Sequence, residues 1–300
     1  MKEKHINIDE FLKLTDKSHS LSSGTESLIY KSDDNLDVFK FFLIGMNDCV
    51  HNKCYILNSV SDITKEYPMP FLMTPKDLVI IDEEGIEPRP VGYTMPFIKG
   101  ENLETYLLDD NISFDKKKEL LTKTGKLLEK MKTMRQETGE SFFLNDLHED
   151  NIIVENNTED LKILDIDSAY VRDSYVAPSK YLLKREFLKN KDKYPKEKEN
   201  PIYGKQVLPN QNTEYYCYLV MILNTLLQEK LIQERSTLLS YHQLKSYIDY
   251  LEKLGLNKEI VTAFKRITEN EDNINPYEYI EDIKEMPEAS YTRYREYKNF

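Results

Sequence analysis

Two textures divide the chain. Up to about residue 100, short apolar runs are broken by turn residues. Leu28-Ile29-Tyr30-Lys31 and Val38-Phe39-Lys40-Phe41-Phe42 flank Ser32-Asp33-Asp34-Asn35; Leu78-Val79-Ile80-Ile81 and Val91-Gly92-Tyr93-Thr94-Met95 flank Asp82-Glu83-Glu84-Gly85. Each set predicts two strands around a turn. Between them Val50, Cys54, Ile56, Leu57 and Val60 recur at helical spacing, so a small antiparallel sheet with one helix is expected. After Gly100 the period becomes helical. Leu120, Leu121, Thr124, Leu127, Leu128, Met131 and Met134 share one face, with Ser113 as N-cap and Lys123, Lys126 and Lys130 turned outward. Asn151-Ile152-Ile153-Val154 and Leu161-Lys162-Ile163-Leu164 predict a second hairpin. Residues 214 to 228 are apolar nearly all round, which predicts a helix central to its surroundings. Between these lies a polar stretch from about 168 to 211. Its Lys- and Arg-rich part, Lys180 to Lys205, reads as a solvated loop.

Composition narrows the functional classes. Within 300 residues, 41 Lys and Arg stand against 53 Asp and Glu, a net charge of −12. That balance argues against a nucleic-acid partner, which calls for a basic face. No run approaches 18 apolar residues, so no membrane span is expected. Cys49, Cys54 and Cys217 form no CxxC pair, and Met1-Lys2-Glu3-Lys4-His5 lacks the apolar core of a secretory leader. A reduced, cytoplasmic protein is expected.

The candidate chemistry sits in Asn145-Asp146-Leu147-His148-Glu149-Asp150-Asn151, which enters a strand, and in Asp165-Ile166-Asp167, which leaves the next. A hairpin would bring Asn151 and Asp165 side by side at its open end. Phosphoryl transfer needs a carboxylate for the attacking hydroxyl and oxygen ligands for Mg²⁺ at the nucleotide phosphates. The segment resembles the catalytic loop and the metal-binding motif of the protein kinase-like superfamily, in its D-x-D variant. The resemblance implies that Asp146 is the catalytic base and that Asn151 and Asp165 are Mg²⁺ ligands. Val38-Phe39-Lys40 is similar to the strand that carries the family's phosphate-pairing lysine, which assigns that role to Lys40. Leu21 to Tyr30 resembles the loop covering the nucleotide, with the backbone of Gly24, Thr25 and Glu26 toward phosphate. Tyr93 to Leu103 is similar to the family's hinge. Met95 would back the adenine, and the Pro96 carbonyl and Ile98 amide would meet its edge. Glu214 stands where the family has an acid bonded to the catalytic-loop backbone.

The resemblance covers roughly residues 20 to 228. It implies an α+β, bilobal protein kinase-like fold. Residues 1–19 would be an N-terminal extension and 20–96 a lobe of small antiparallel sheet with one main helix. Residues 97–101 would be the hinge and 102–300 a larger, mainly helical lobe. The implied activity is ATP- and Mg²⁺-dependent transfer of the γ-phosphate to a hydroxyl, as in a Ser/Thr protein kinase. The long segment between Asp167 and Glu214 favours a protein acceptor. The D-L-H-x-x-N and D-x-D forms also suit a small-molecule kinase of the aminoglycoside or choline type, and a non-catalytic nucleotide-binding scaffold is a third reading. Several family features are missing. No Glu lies between Lys40 and Glu66 to pair with Lys40; Lys53 falls nearest that place, with Asp48 and Asp62 as possible substitutes. Leu144-Asn145 replaces His-Arg ahead of Asp146, and Ala177-Pro178-Ser179 only faintly matches A-P-E. Asp167 is expected either to assist the metal or to cap the following turn, and His148 to serve the loop structurally.

Overall fold

The alternation of Val38, Lys40 and Phe42 against Phe39 and Phe41 decides how the sheet is buried. In the computed structural model, which describes residues 1–23, 27–43, 47–172, 174, 209–231, 241–268 and 274–298, these residues form β4 (Asp37–Phe42). Its neighbours are β1 (Lys2–Asn7), β2 (Ser20–Ser23), β3 (Ser27–Lys31), β5 (Asp77–Glu83) and β6 (Ile86–Pro96). The six strands run in the order β1-β5-β6-β4-β3-β2. Phe39 and Phe41 join Tyr30, Ile6 and Val79 in a small core on one face. The short helix α1 (Ile8–Leu14) closes that face with Phe11 and Leu14, and the Phe11 and Phe41 rings meet edge to face at 4.9 Å. Val38, Phe42, Tyr93 and Met95 belong to the main core, packed with Ile56, Leu57, Val60 and Ile63 of α2 (Asn47–Glu66).

The sheet is mixed, which corrects the expectation of a purely antiparallel one. β1 pairs with β5 in parallel, from Lys2↔Asp77 to Asn7↔Asp82. Residues 1–19, set apart in sequence as an extension, thus supply an edge strand and a covering helix. An edge strand of this kind carries little apolar signal, because of Lys2 to Asn7 only Ile6 is buried.

β7 (Gly100–Asn102) leads into α3 (Leu103–Leu108) and α4 (Phe114–Thr138). The Ser113 side chain caps α4 by accepting from the Lys116 amide at 3.3 Å, and the whole predicted stripe from Leu120 to Met134 is buried. The two-residue strand β8 (Phe142–Phe143) precedes the loop, and β9 (Ile152–Glu155) and β10 (Leu161–Ile163) form the second hairpin. β7 lies against β9, and Gly100 permits it, since a Cβ there would fall on the Val154 carbonyl oxygen. β11 (Tyr170–Val171) pairs with β8. The apolar segment becomes α5 (Gln211–Leu227), buried at every residue from Thr213 to Leu227, against α3, α4 and α7 (Lys258–Thr268). α6 (Tyr241–Lys253) packs on α7 and buries Leu244, Ile248 and Leu251, and α8 (Tyr291–Lys298) packs on α6. No helix among the described residues is long and apolar enough to cross a membrane.

Candidate functional site

Lys40 lies in the middle of β4, opposite Tyr93 of β6 and Ile29 of β3. Gly92 lets β6 approach here, because a Cβ at that position would strike the Lys40 carbonyl oxygen. The side chain shares the inner face with Val38 and Phe42 and is only 7% exposed. Such a lysine needs partners, since an isolated ammonium is costly to bury. It finds two carboxylates 125 and 127 residues away. Its Nζ donates to Asp165 Oδ1 and, at 2.6 Å, to Asp167 Oδ1.

Asp167 is fully buried and is the hub of the cluster. Its Oδ1 also accepts from the Tyr93 hydroxyl at 3.1 Å, and its Oδ2 accepts from Lys53 Nζ at 2.6 Å. Lys53 is carried on α2, one turn before Leu57 on the same buried face. The acid that the helix lacks has therefore moved. α2 presents a cation, and the counter-charge for both lysines comes from the turn after β10. Of the two acids named in sequence as substitutes, Asp62 pairs with Lys65 at 3.1 Å, and the side chain of Asp48 lies outside the described residues.

The two carboxylates titrate apart. Burial alone would raise both. The ammonium groups of Lys40 and Lys53 overcome it at Asp167 and hold that carboxyl far below the ordinary range. Asp165, with Lys40 as its one cation among the described residues, is pushed up to about 6 by burial and then by the Asp167 charge. Burial opposes the charge on Lys40, but Asp167, Tyr93 and Asp165 hold its pKa well above the ordinary lysine value. Asp165 adopts a left-handed backbone (φ 56°, ψ 40°), which reverses the chain after β10, and the Ser168 hydroxyl donates to its carbonyl at 3.1 Å.

The loop residues assemble around the same hairpin end. The Leu164 amide donates to the Asn151 carbonyl at 2.8 Å, tying the backbone beside Asp165 to Asn151. Asn151 Nδ2 in turn donates to the Asp146 carbonyl at 3.0 Å, and the Asp146 carboxylate is half exposed. His148 lies between two acids, with Nε2 3.7 Å from Asp146 Oδ2 and Nδ1 3.6 Å from Asp150 Oδ2. Burial disfavours the imidazolium, but those acids and Glu149 prevail and raise its pKa. The loop is anchored from below. Glu214, buried at the start of α5, accepts from the Leu144 amide at 2.9 Å and from Arg135 of α4 at 3.2 and 2.9 Å. Glu149 is buried and accepts from Asn224 of α5.

Of the residues singled out in sequence, Lys40 and Asp165 are in contact, and Asn151 joins Asp146 to the strand beside Asp165. Met95 lies on the inner face two residues beyond Tyr93, facing Val38, and is buried. Pro96 and Ile98 line a groove of about 490 Å³ with Leu72, Met73 and Lys162, behind the C-terminal end of α2. Gly24, Thr25, Ala177-Pro178-Ser179 and the Lys180–Lys205 stretch lie outside the described residues. Sequence reasoning missed Tyr93 as a polar member of the cluster and Arg135 as the partner of Glu214. The first was legible in principle, because strand register places residue 93 opposite 40.

Oxygen is the donor type that Mg²⁺ prefers, and Asn151 and Asp165 supply it. Asn151 donates through Nδ2, and its Oδ1 takes no hydrogen bond among the described residues. No three His, Cys, Asp or Glu side chains among the described residues converge as a self-sufficient metal site. Two protein ligands completed by phosphate and water is the arrangement that suits Mg²⁺ carried with a nucleotide. The chain matches no protein-family model, and comparison with curated proteins finds no significant match.

Proposed function

We propose that this chain is an ATP-dependent phosphotransferase with a bilobal, protein kinase-like fold, transferring the γ-phosphate to a hydroxyl acceptor, with a protein acceptor favoured. The observation that carries the reading is the meeting of Lys40 with Asp165, 125 residues apart, beside a loop in which Asn151 fastens the Asp146 backbone. A buried lysine, two acids and an oxygen-bearing amide in that order of chain positions suit phosphate binding better than structural packing alone. A core with no ligand to serve would be as stable with apolar residues in their place.

In this reading Lys40 turns from Asp165 to the α- and β-phosphates, and Asn151 and Asp165 hold Mg²⁺. The metal, when bound, neutralises charge on the phosphate oxygens. Asp146, the exposed acid of the loop, orients the acceptor hydroxyl and takes its proton as the phosphoryl group transfers. Glu214 and Arg135 fix the loop backbone from which Asp146 projects. The rate enhancement arises from positioning and from preorganised charge.

A transfer assay with γ-labelled ATP tests this, run with wild type, Asp146→Asn and Asp165→Asn, with and without Mg²⁺. Generic protein acceptors come first, then sugar and amine panels. Label transferred by the wild type and lost in both variants is the expected result. A wild type that is stabilised by ATP yet transfers nothing to any acceptor would make the chain a nucleotide-binding scaffold instead.

A further inference from the structure

The charge on α2 is opposite to that of the acidic partner expected for Lys40, and the site's balance depends on it. Among the described residues four charged groups meet here: the ammoniums of Lys40 and Lys53 and the carboxylates of Asp165 and Asp167. With all four charged the cluster is neutral. For Lys40 to take hold of phosphate it must give up contact with these acids, and that is tolerable only if Asp167, fully buried, keeps another cation. Lys53 is that cation, at 2.6 Å on the oxygen that Lys40 does not use, while the Tyr93 hydroxyl supports the other oxygen.

Resting on the phosphotransferase reading, we propose that Lys53 is a positioning residue: it keeps Asp167 paired while Lys40 moves to the nucleotide, and so holds the 165–168 turn with Asp165 aimed at the metal. α2 packs directly on that turn and on β11, so the same contact makes the position of the helix part of the competence of the site. Lys53 does not touch the reacting atoms. It acts through Asp167, and its effect is to release Lys40.

This role differs from a merely structural one in how substitutions combine. In Lys53→Met the cluster keeps two carboxylates for one lysine, so Lys40 is held back. In Asp167→Asn it keeps two lysines for one carboxylate. The double variant Lys53→Met/Asp167→Asn is balanced again, with Lys40 facing Asp165 alone. The expected result for Lys53→Met is a rise in the KM for ATP of about tenfold or more, with a smaller change in kcat, and partial rescue by Lys53→Arg. The double variant is expected to bind ATP within about threefold of wild type, a non-additivity that two independent losses of packing would not produce. Circular dichroism establishes that each variant is folded. Where Lys53→Met does not fold, the double variant decides alone, read by ATP titration: recovery supports the inference and a loss of about tenfold or more overturns it. A folded Lys53→Met with wild-type KM and kcat also overturns it. These outcomes are read against an active wild type, whereas a wild type that neither binds nor uses ATP refutes the phosphotransferase reading itself.

Discussion

Two charge clusters buried among the described residues are built on opposite plans. Arg135 and Glu214 form a one-to-one pair. Arg135 Nη1 and Nη2 donate to Glu214 Oε1 and Oε2 at 3.2 and 2.9 Å, and the pair is tied to backbone through the Phe142 carbonyl and the Leu144 amide. Lys40, Lys53, Asp165 and Asp167 form a two-by-two set in which Lys40 contacts both acids and Asp167 contacts both lysines. In a one-to-one pair neither charge has a second counter-charge to turn to, so the pair fixes a loop. In a shared set Lys40 can let go of Asp167 while Lys53 keeps that buried acid paired, so the set can turn one charge toward a ligand. Burial and long sequence separation are common to both clusters, and what separates scaffold from site is whether any charge has an alternative partner.

The sharpest way to break the comparison is to remove the acid from the fixed pair. Glu214→Ala leaves a buried guanidinium and the Leu144 amide unsatisfied, and it should cost about 3–5 kcal/mol in urea-unfolding experiments. Lys40→Met should behave in the reverse sense. Lys53 still faces Asp167, and Asp165, pushed up to about 6, takes a proton with little penalty. Stability should fall by only about 1–2 kcal/mol, whereas phosphoryl transfer should drop by about a hundredfold or more. Gly92→Ala probes the strand approach beneath Lys40. The added methyl meets the Lys40 carbonyl and should lower stability by about 1–3 kcal/mol, measured by thermal unfolding.

The smallest effect concerns pH. Glu104 of α3 is pushed up to about 7, first because it shares a hydrogen bond with Asp150 and then by burial, against the pull of Lys230. Asp150 keeps its charge, with Lys230 at 2.6 Å. A carboxyl whose folded pKa lies above its unfolded value makes a stabilising contribution at low pH that is lost as pH rises through 7. Melting temperatures of Glu104→Gln should therefore be flatter than wild type between pH 5 and 8, and relatively higher at pH 8.

Much of the frame was legible because apolar periodicity and burial are the same signal. The β3–β4 and β5–β6 strands, the buried stripe of α4 and the all-round burial of α5 lie where the pattern puts them. β1 was not legible, since its strand character comes from pairing with β5 rather than from its own polar side chains. The approach of residues 40 and 165 followed from the motif order and was not contained in any local pattern. The inverted partnership of Lys53 with Asp167 was half visible. The missing Glu and the extra acid of D-x-D are two sides of one charge balance, and only the contact between α2 and the turn after β10 joins them. Tyr93 was legible only through strand register, which sets it opposite residue 40; by itself a tyrosine in an apolar strand reads as packing until its hydroxyl is placed.

Calorimetric titration with ATP in the presence and absence of Mg²⁺, on wild type, Lys40→Met and Asp165→Asn, reaches the central claim most directly. The account holds that the wild type binds ATP more tightly with Mg²⁺, that Lys40→Met weakens binding by about tenfold or more in either condition, and that Asp165→Asn abolishes only the Mg²⁺-dependent gain. Equal affinities for the three proteins, with no response to Mg²⁺, would contradict it.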